Sequence, residues 1–368
     1  MSGDNLVKKR VESIFNILKE PLDLILIKTS TFPFIDNNFF YFTGLKKGIF
    51  ENSIVALYPD GNLDIIVSKL EEESAKKSKA NLHVYKDLKD WNIIIEDLFL
   101  SCKNIGLNYN GITHSDLIKF KKIFTKSKFF DISEQINHIR LVKDKYEIDA
   151  IKKACLIVDK VVEKIPELLH EGILEYEIAA EINHLMQQFG AEKPAFETIS
   201  SFGVNTAEPH YTHGNNRLYN GNFALFDFGA SLNKYNSDIT RTFIFKNSNN
   251  KQKEMYDTVI KAQKLGLDLI KPNQKAKIVH DSVYSFIEKT KFKGYFIHST
   301  GHSLGLEVHD GGSLGPDSNL ILKENMVFTV EPGIYIPGFG GVRIEDDVRI
   351  TKDGFELLTN SSKEFYEF

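Results

Sequence analysis

Carboxylates planted inside apolar, strand-like runs constrain this chain more than any other feature. Phe223-Ala-Leu-Phe-Asp227-Phe-Gly229 carries an aspartate within a β-forming run, and Asp238-Ile-Thr-Arg-Thr-Phe-Ile-Phe245 resumes a strand after the turn-rich Ser231-Leu-Asn-Lys234. With the turn centred between Leu232 and Asn233, the two aspartates stand opposite each other across a hairpin. Near the C-terminus, Glu331 sits in Phe328-Thr-Val-Glu-Pro-Gly-Ile-Tyr-Ile336 and Glu345 closes Gly341-Val-Arg-Ile-Glu345. The turn Pro337-Gly-Phe-Gly-Gly341 centres near Gly338, so these two acids also pair. Like charges facing across antiparallel strands are destabilising and need a cation or other compensation.

Four acids on two hairpins, joined by a histidine, suit two divalent cations about 3.5–4 Å apart. An oxygen-rich set with one nitrogen favours Mn, Co, Fe or Zn over a thiolate-preferring metal. The histidine comes from Ile297-His298-Ser-Thr-Gly-His302-Ser-Leu-Gly-Leu-Glu-Val-His309-Asp310, where Gly301 and Gly305 flank His302 as in a site loop.

At 368 residues the chain exceeds the roughly 150 of a typical domain, so two domains are expected. Up to about residue 137, strand runs at 22–27, 53–58, 63–67, 82–85 and 105–108 alternate with helical stretches, and Pro59-Asp-Gly-Asn62 reads as a hairpin turn. This half is an α/β domain with mixed pairing. Asp144 and Glu147 form a capping-box signature opening an amphipathic helix, with Ile148, Ile151, Cys155, Val158, Val162 and Ile165 on one face. Helices are further expected over 176–189, 252–270 and 276–289, with strands between and after them, as two similar halves around one sheet.

The charge balance, 46 basic against 50 acidic residues, does not point to a nucleic-acid partner. No apolar run approaches the roughly 20 residues of a spanning helix, and no apolar stretch follows Lys8-Lys9-Arg10, so no membrane association is expected. Cys102 and Cys155, far apart and outside any CxxC spacing, fit core thiols in a reducing, cytoplasmic compartment.

Five motifs in order, Asp227-Phe-Gly-Ala, Ser237-Asp-Ile-Thr-Arg-Thr242, Thr300-Gly-His-Ser-Leu-Gly-Leu-Glu-Val-His309, Thr329-Val-Glu-Pro-Gly333 and Gly341-Val-Arg-Ile-Glu-Asp346, resemble the pita-bread metallopeptidases of the Xaa-Pro type. That family comprises prolidases and aminopeptidase P enzymes. Arg140-Leu-Val-Lys-Asp-Lys-Tyr-Glu-Ile148 resembles the opening of its catalytic domain, and Asp36-Asn-Asn-Phe-Phe-Tyr-Phe-Thr-Gly44 resembles a phrase of its N-terminal domain. The resemblance implies an α/β N-terminal domain over 1–137 followed by an α+β pita-bread (creatinase/aminopeptidase) catalytic domain over 138–368.

It further implies that Asp227, Asp238, His302, Glu331 and Glu345 hold two metals, Mn or Co ahead of Zn or Fe, with Asp238 and Glu345 bridging. An activated water would be the nucleophile and Glu331 the general base. His210 and His309 match histidines that hold substrate and stabilise or protonate the tetrahedral intermediate, and His298 matches one lining the pocket. Arg343 matches an arginine that steadies the metal carboxylates beside the substrate, and Thr240 and Thr329 are expected as hydrogen-bond partners of the ligands. A homodimer acting on Xaa-Pro peptides is expected, and a dipeptidase is the leading form. The alternative is an aminopeptidase P: Asp310-Gly-Gly departs from the glutamate that many relatives carry after the histidine, whereas the compact N-terminal domain favours a prolidase.

Other readings fare worse. Gly301-His-Ser303-Leu-Gly305 fits the G-x-S-x-G nucleophile elbow, but His309 is the only histidine after Ser303 and no triad in the required order can be built. A methionine aminopeptidase would not need the N-terminal domain. A metal-free scaffold of this fold would have lost several of the five ligands, and all five are present.

Overall fold

Leu24–Lys28 is buried at all five positions, as a strand covered on both faces must be. In the computed structural model, which describes residues 3–364, it is the central strand of the first of two units, Met1–Arg140 and Leu141–Phe368. The first unit contains α1 (Gly3–Asn16), β1 (Leu24–Lys28), α2 (Asn38–Thr43), β2 (Ile54–Leu57), β3 (Leu63–Ser68), α3 (Glu72–Ala75), β4 (Asn81–Tyr85), α4 (Leu88–Phe99), β5 (Asn104–Leu107), α5 (His114–Ile123) and β6 (Lys128–Asp131), with α6 (Ser133–Leu141) at its end. Its sheet runs β4-β3-β2-β1-β5-β6, with only β2 antiparallel to its neighbours. Leu57 pairs with Leu63 around the expected Pro59–Asn62 turn. The short, charge-ended β6 gives no apolar run in the sequence and is found only in the structure. Leu24 and Leu26 project onto a core with Trp91, Ile95 and Phe99 of α4 and Phe120 and Phe124 at α5.

The second unit begins with α7 (Lys145–Leu168), opened by the Asp144–Glu147 capping box, and α8 (Glu175–Gln188). Then come β7 (Lys193–Pro194), β8 (Ile199–Phe202), β9 (Phe223–Phe228), β10 (Ala230–Leu232), β11 (Tyr235–Asn236) and β12 (Ile239–Ile244). A second helix pair, α9 (Asn250–Leu269) and α10 (Ala276–Glu288), precedes β13 (Val327–Val330), β14 (Gly333–Ile336), β15 (Gly340–Arg343), β16 (Asp346–Ile350) and β17 (Phe355–Leu357).

The expected single sheet is replaced by short ladders, chiefly β12-β9-β8, β13-β16-β17 and β14-β15. The strands break where the acids sit. Pro332 has no N–H to continue a ladder beyond Glu331. At Gly229 a Cβ would lie 2.0 Å from the Ser237 carbonyl oxygen, so only glycine lets the chain pass between β9 and β10. Alternation does the sorting: Ala224, Phe226 and Phe228 of β9, with Ile239 and Phe243 of β12, pack against the apolar faces of α7 and α8. Asp227 and Thr240, directly opposite each other, face the other way. Of the two cysteines, Cys155 is buried in α7 as expected, whereas Cys102 follows α4 near the surface and is only partly buried.

Phe226 is fully buried in a strand paired on both edges, so Phe226→Ala should lower unfolding stability by about 3–5 kcal/mol. Chemical denaturation followed by circular dichroism measures this loss.

Candidate metal centre

The first hairpin differs from its sequence reading by a fixed amount. Asn233 and Lys234, with φ of 52° and 73°, form the two-residue turn, so Leu232 pairs with Tyr235 and Asp227 with Thr240. The turn centre therefore lies one residue later than expected, and Asp227 and Asp238 are diagonal neighbours rather than direct partners. A register change of two residues preserves the face, so both acids still point into one site. The second hairpin keeps the expected register: Gly333 pairs with Arg343 on one side and Val330 with Asp346 on the other. Glu331 and Glu345 occupy the opposed positions in the gap between these ladders.

All nine residues expected as metal ligands or substrate contacts, His210, Asp227, Asp238, His298, His302, His309, Glu331, Arg343 and Glu345, line one cavity of about 750 Å³. Ligand atoms of Asp238, His302 and Glu345 lie within 4.8 Å of one another. His302 Nε2 is 3.6 Å from Asp238 Oδ2 and 3.4 Å from Glu331 Oε1. Gly301 brings His302 there: a Cβ on it would stand 1.9 Å from the Thr329 carbonyl oxygen, and this approach lets His302 N donate to Thr329 Oγ1 at 3.0 Å. Thr329 in turn donates to Glu331 Oε1 at 3.1 Å, and Thr240 donates to Glu345 Oε2 at 2.6 Å.

The electrostatics fit a cation. Burial, followed by the neighbouring carboxylates, pushes Asp238 and Glu345 well above the usual carboxylate range, and burial raises Glu331 as well. Burial holds His302 below its ordinary value, which keeps its imidazole neutral as a metal ligand requires. Asp227 Oδ1 and Asp238 Oδ1 are buried with no hydrogen-bond partner. Buried polar atoms are rarely left so, and two acid oxygens without donors on one cavity match the needs of a divalent cation. The other oxygen of Asp227 accepts from Arg343 Nη2 at 2.5 Å. Ser303, by contrast, is fully buried and donates to the Asp310 carbonyl, so it cannot serve as an exposed nucleophile.

Several supporting residues escaped the sequence reading. Tyr335 Oη accepts from Arg343 Nη1 and contacts His298 Nε2, both at 2.9 Å, joining two side chains of the site. Asp347 accepts from Asp238 N at 2.9 Å and fixes that strand end. Glu175, fully buried, accepts from Phe202 N, Asn205 Nδ2, Tyr211 Oη and Gly214 N at 2.8–3.0 Å, and so ties down the loop carrying His210. Its only signal was an acid in a helix's first turn, which ordinarily denotes a solvated charge. The buried pair Lys143–Asp310, at 2.7 Å, anchors the residue next to His309.

Comparison with known proteins places this geometry. Residues 149–352 match metallopeptidase family M24, and residues 10–142 match the creatinase/prolidase N-terminal domain. The chain is 37% identical over 360 residues to a protein of Pyrococcus furiosus named Xaa-Pro dipeptidase, covering 97% of this chain and 99% of that one. The crystal structure of the prolidase from Pyrococcus horikoshii OT3 superposes with a TM-score of 0.89 at 34% identity, over 98% and 99% of the two chains. That of an X-Pro aminopeptidase from Thermotoga maritima gives 0.87 at 30%, over 94% and 98%. The chain therefore belongs to metallopeptidase family M24 and is a hydrolase of the pita-bread fold behind a creatinase/prolidase N-terminal domain.

Proposed function

We propose that this protein is an Xaa-Pro dipeptidase in which Asp227, Asp238, His302, Glu331 and Glu345 hold two divalent metal ions, Mn or Co. The observation that carries the reading is the set of acids and neutral His302 gathered on one cavity with two buried carboxylate oxygens lacking donors. The near end-to-end likeness to a protein named Xaa-Pro dipeptidase supports the substrate class. Bound there, the ions supply Lewis-acid polarisation of the scissile carbonyl and lower the pKa of the attacking water.

The chain's own residues do the rest. Glu331, with Oε1 steadied by Thr329 and its carboxyl raised by burial, accepts the proton of the water and passes it to the departing proline nitrogen. His309, whose ring lies 4.0 Å from that of His302 and whose burial keeps it neutral, donates to the carbonyl oxygen as it gains charge. His210 contacts the departing proline, where Phe196, Ile199 and Pro209 give the cavity an apolar wall suited to the pyrrolidine ring. His298, locked between Tyr335 and the Ser299 carbonyl, lines the substrate side. Arg343 holds Asp227 and Thr240 in place, the latter at 3.0 Å. The resemblance and the unpaired cysteines support a cytoplasmic homodimer.

Three measurements test this. Asp238, Glu345 and Glu331 have raised values in the folded chain, so their contribution to stability is full in acid and lost as pH rises through those values. Scanning calorimetry of chelator-stripped protein near neutral pH should show Mn raising the melting temperature by several degrees. This corresponds to the about 2–3 kcal/mol contributed by a ligand at a hundred times its Kd. In acid, where the carboxyls keep their protons, the increment should vanish.

Glu331→Gln should lower kcat by about 10²–10⁴ with an unchanged circular dichroism spectrum, and wild-type turnover in that variant would remove Glu331 from its role. Restored with Mn or Co, stripped enzyme should cleave an Xaa-Pro dipeptide in preference to an Xaa-Pro-Xaa tripeptide. The opposite preference would make it an aminopeptidase P.

A further inference from the structure

A second cavity, of about 590 Å³, lies wholly within the first unit. Its origin is legible in β1, where alternation that sends Leu24 and Leu26 into the core sends Lys28 to the next inward position. Lys28 is only 6% exposed. Its ammonium donates to the carbonyl of the adjacent Thr29, and no carboxylate of the described residues lies within ion-pair distance. The acid that acts on it most, Asp116, is already engaged by Thr113 Oγ1 at 2.8 Å and Lys119 Nζ at 3.5 Å. Asp87, which also lines the cavity, is occupied in capping α4 through the N–H groups of Lys89 and Asp90.

An ammonium buried without a counter-ion is costly and is found where something else completes it. Burial lowers the Lys28 amine to about 8, with Asp116 opposing and Lys119 reinforcing the shift, so at neutral pH it still carries its proton. The walls beside it are flat and apolar: Tyr85 at the end of β4, Trp91 of α4 and Phe120 of α5. Lys119 and Lys122 add positive charge at the mouth. The site stands at the carboxyl ends of β1 and β4, where open α/β sheets receive ligands.

We propose that this cavity binds a small organic anion with a flat apolar body, an aromatic carboxylate, with its charged group on Lys28 Nζ and its ring against Trp91 and Phe120. Nothing in peptide hydrolysis requires this site, so the proposal stands apart from the metal centre.

Trp91 is the only tryptophan in the sequence, and its emission therefore reports the cavity directly. The test uses full-length, metal-loaded enzyme titrated with phenylacetate, and with phenylacetamide as the uncharged counterpart of the same shape. Phenylacetate should change Trp91 emission saturably and bind about tenfold or more tightly than the amide, the factor expected of a hydrogen bond to a buried charge. Lys28→Met should abolish that preference while leaving peptidase turnover unchanged. No saturable response to millimolar phenylacetate, equal binding of acid and amide by the unaltered protein, or an undiminished preference in Lys28→Met would each overturn the proposal. The comparison of acid with amide needs no variant and decides the matter even where Lys28→Met folds poorly.

Discussion

Mutual repulsion among Asp227, Asp238, Glu331 and Glu345 is the constraint on which the second unit depends. The latter three are buried far enough for their carboxyls to be shifted upward, and His302 among them is held neutral. Of the four acids Arg343 forms an ion pair with Asp227 alone, and its weaker pull on Glu331 and Glu345 does not offset their burial, so protein charge alone does not neutralise the group. A divalent cation removes both the repulsion and the unmatched oxygens of Asp227 and Asp238. Such a site is assembled against its own electrostatics, and the surrounding structure must supply the rigidity that holds it open to metal.

That rigidity comes from two ladders with helices on one side. Their outer-facing residues bury against α7 and α8 in one case and among Leu267 of α9, Ile270 just after it and Val279 of α10 in the other. Between the ladders, Glu345 N donates to the Thr240 carbonyl at 3.2 Å, and Arg241 reaches Asp346 at 2.7 Å in full burial. Ligands on different ladders are thus held by short, direct bonds. The threonines complete the arrangement, because Thr240 and Thr329 each fix one oxygen of a glutamate and leave the other free to bind. The other histidines of the cavity stand on less regular chain, and each has an anchor: Glu175 for the His210 loop, Lys143–Asp310 beside His309, and Tyr335 for His298.

Hydrophobic period and turn chemistry made much of this legible. The Asp144–Glu147 cap, the helices after it and the register of the Glu331–Glu345 hairpin all follow from local sequence, because each is set by contacts within a few residues or by a turn whose centre is marked by glycines. The Asp227–Asp238 register was misjudged, because Asn233 and Lys234 both adopt positive φ and lysine gives little warning of it. Tyr335 and Asp347 stayed hidden, since an apolar-looking tyrosine and one acid in a run of three differ from core and surface residues only through their partners. Glu175 was hidden for the same reason, as its four donors come from a loop about 27–39 residues away.

The sequence by itself determined which side chains gather on one cavity, because acids inside β-forming runs must face inward or outward by strict alternation and a two-residue slip cannot change the face. Only the tertiary structure decided which oxygens are left without donors, which histidines are neutral and whether Lys28 meets a counter-ion. Burial and partner distance fix those properties, and both arise from segments brought together across tens of residues, where no local pattern in the chain records the meeting.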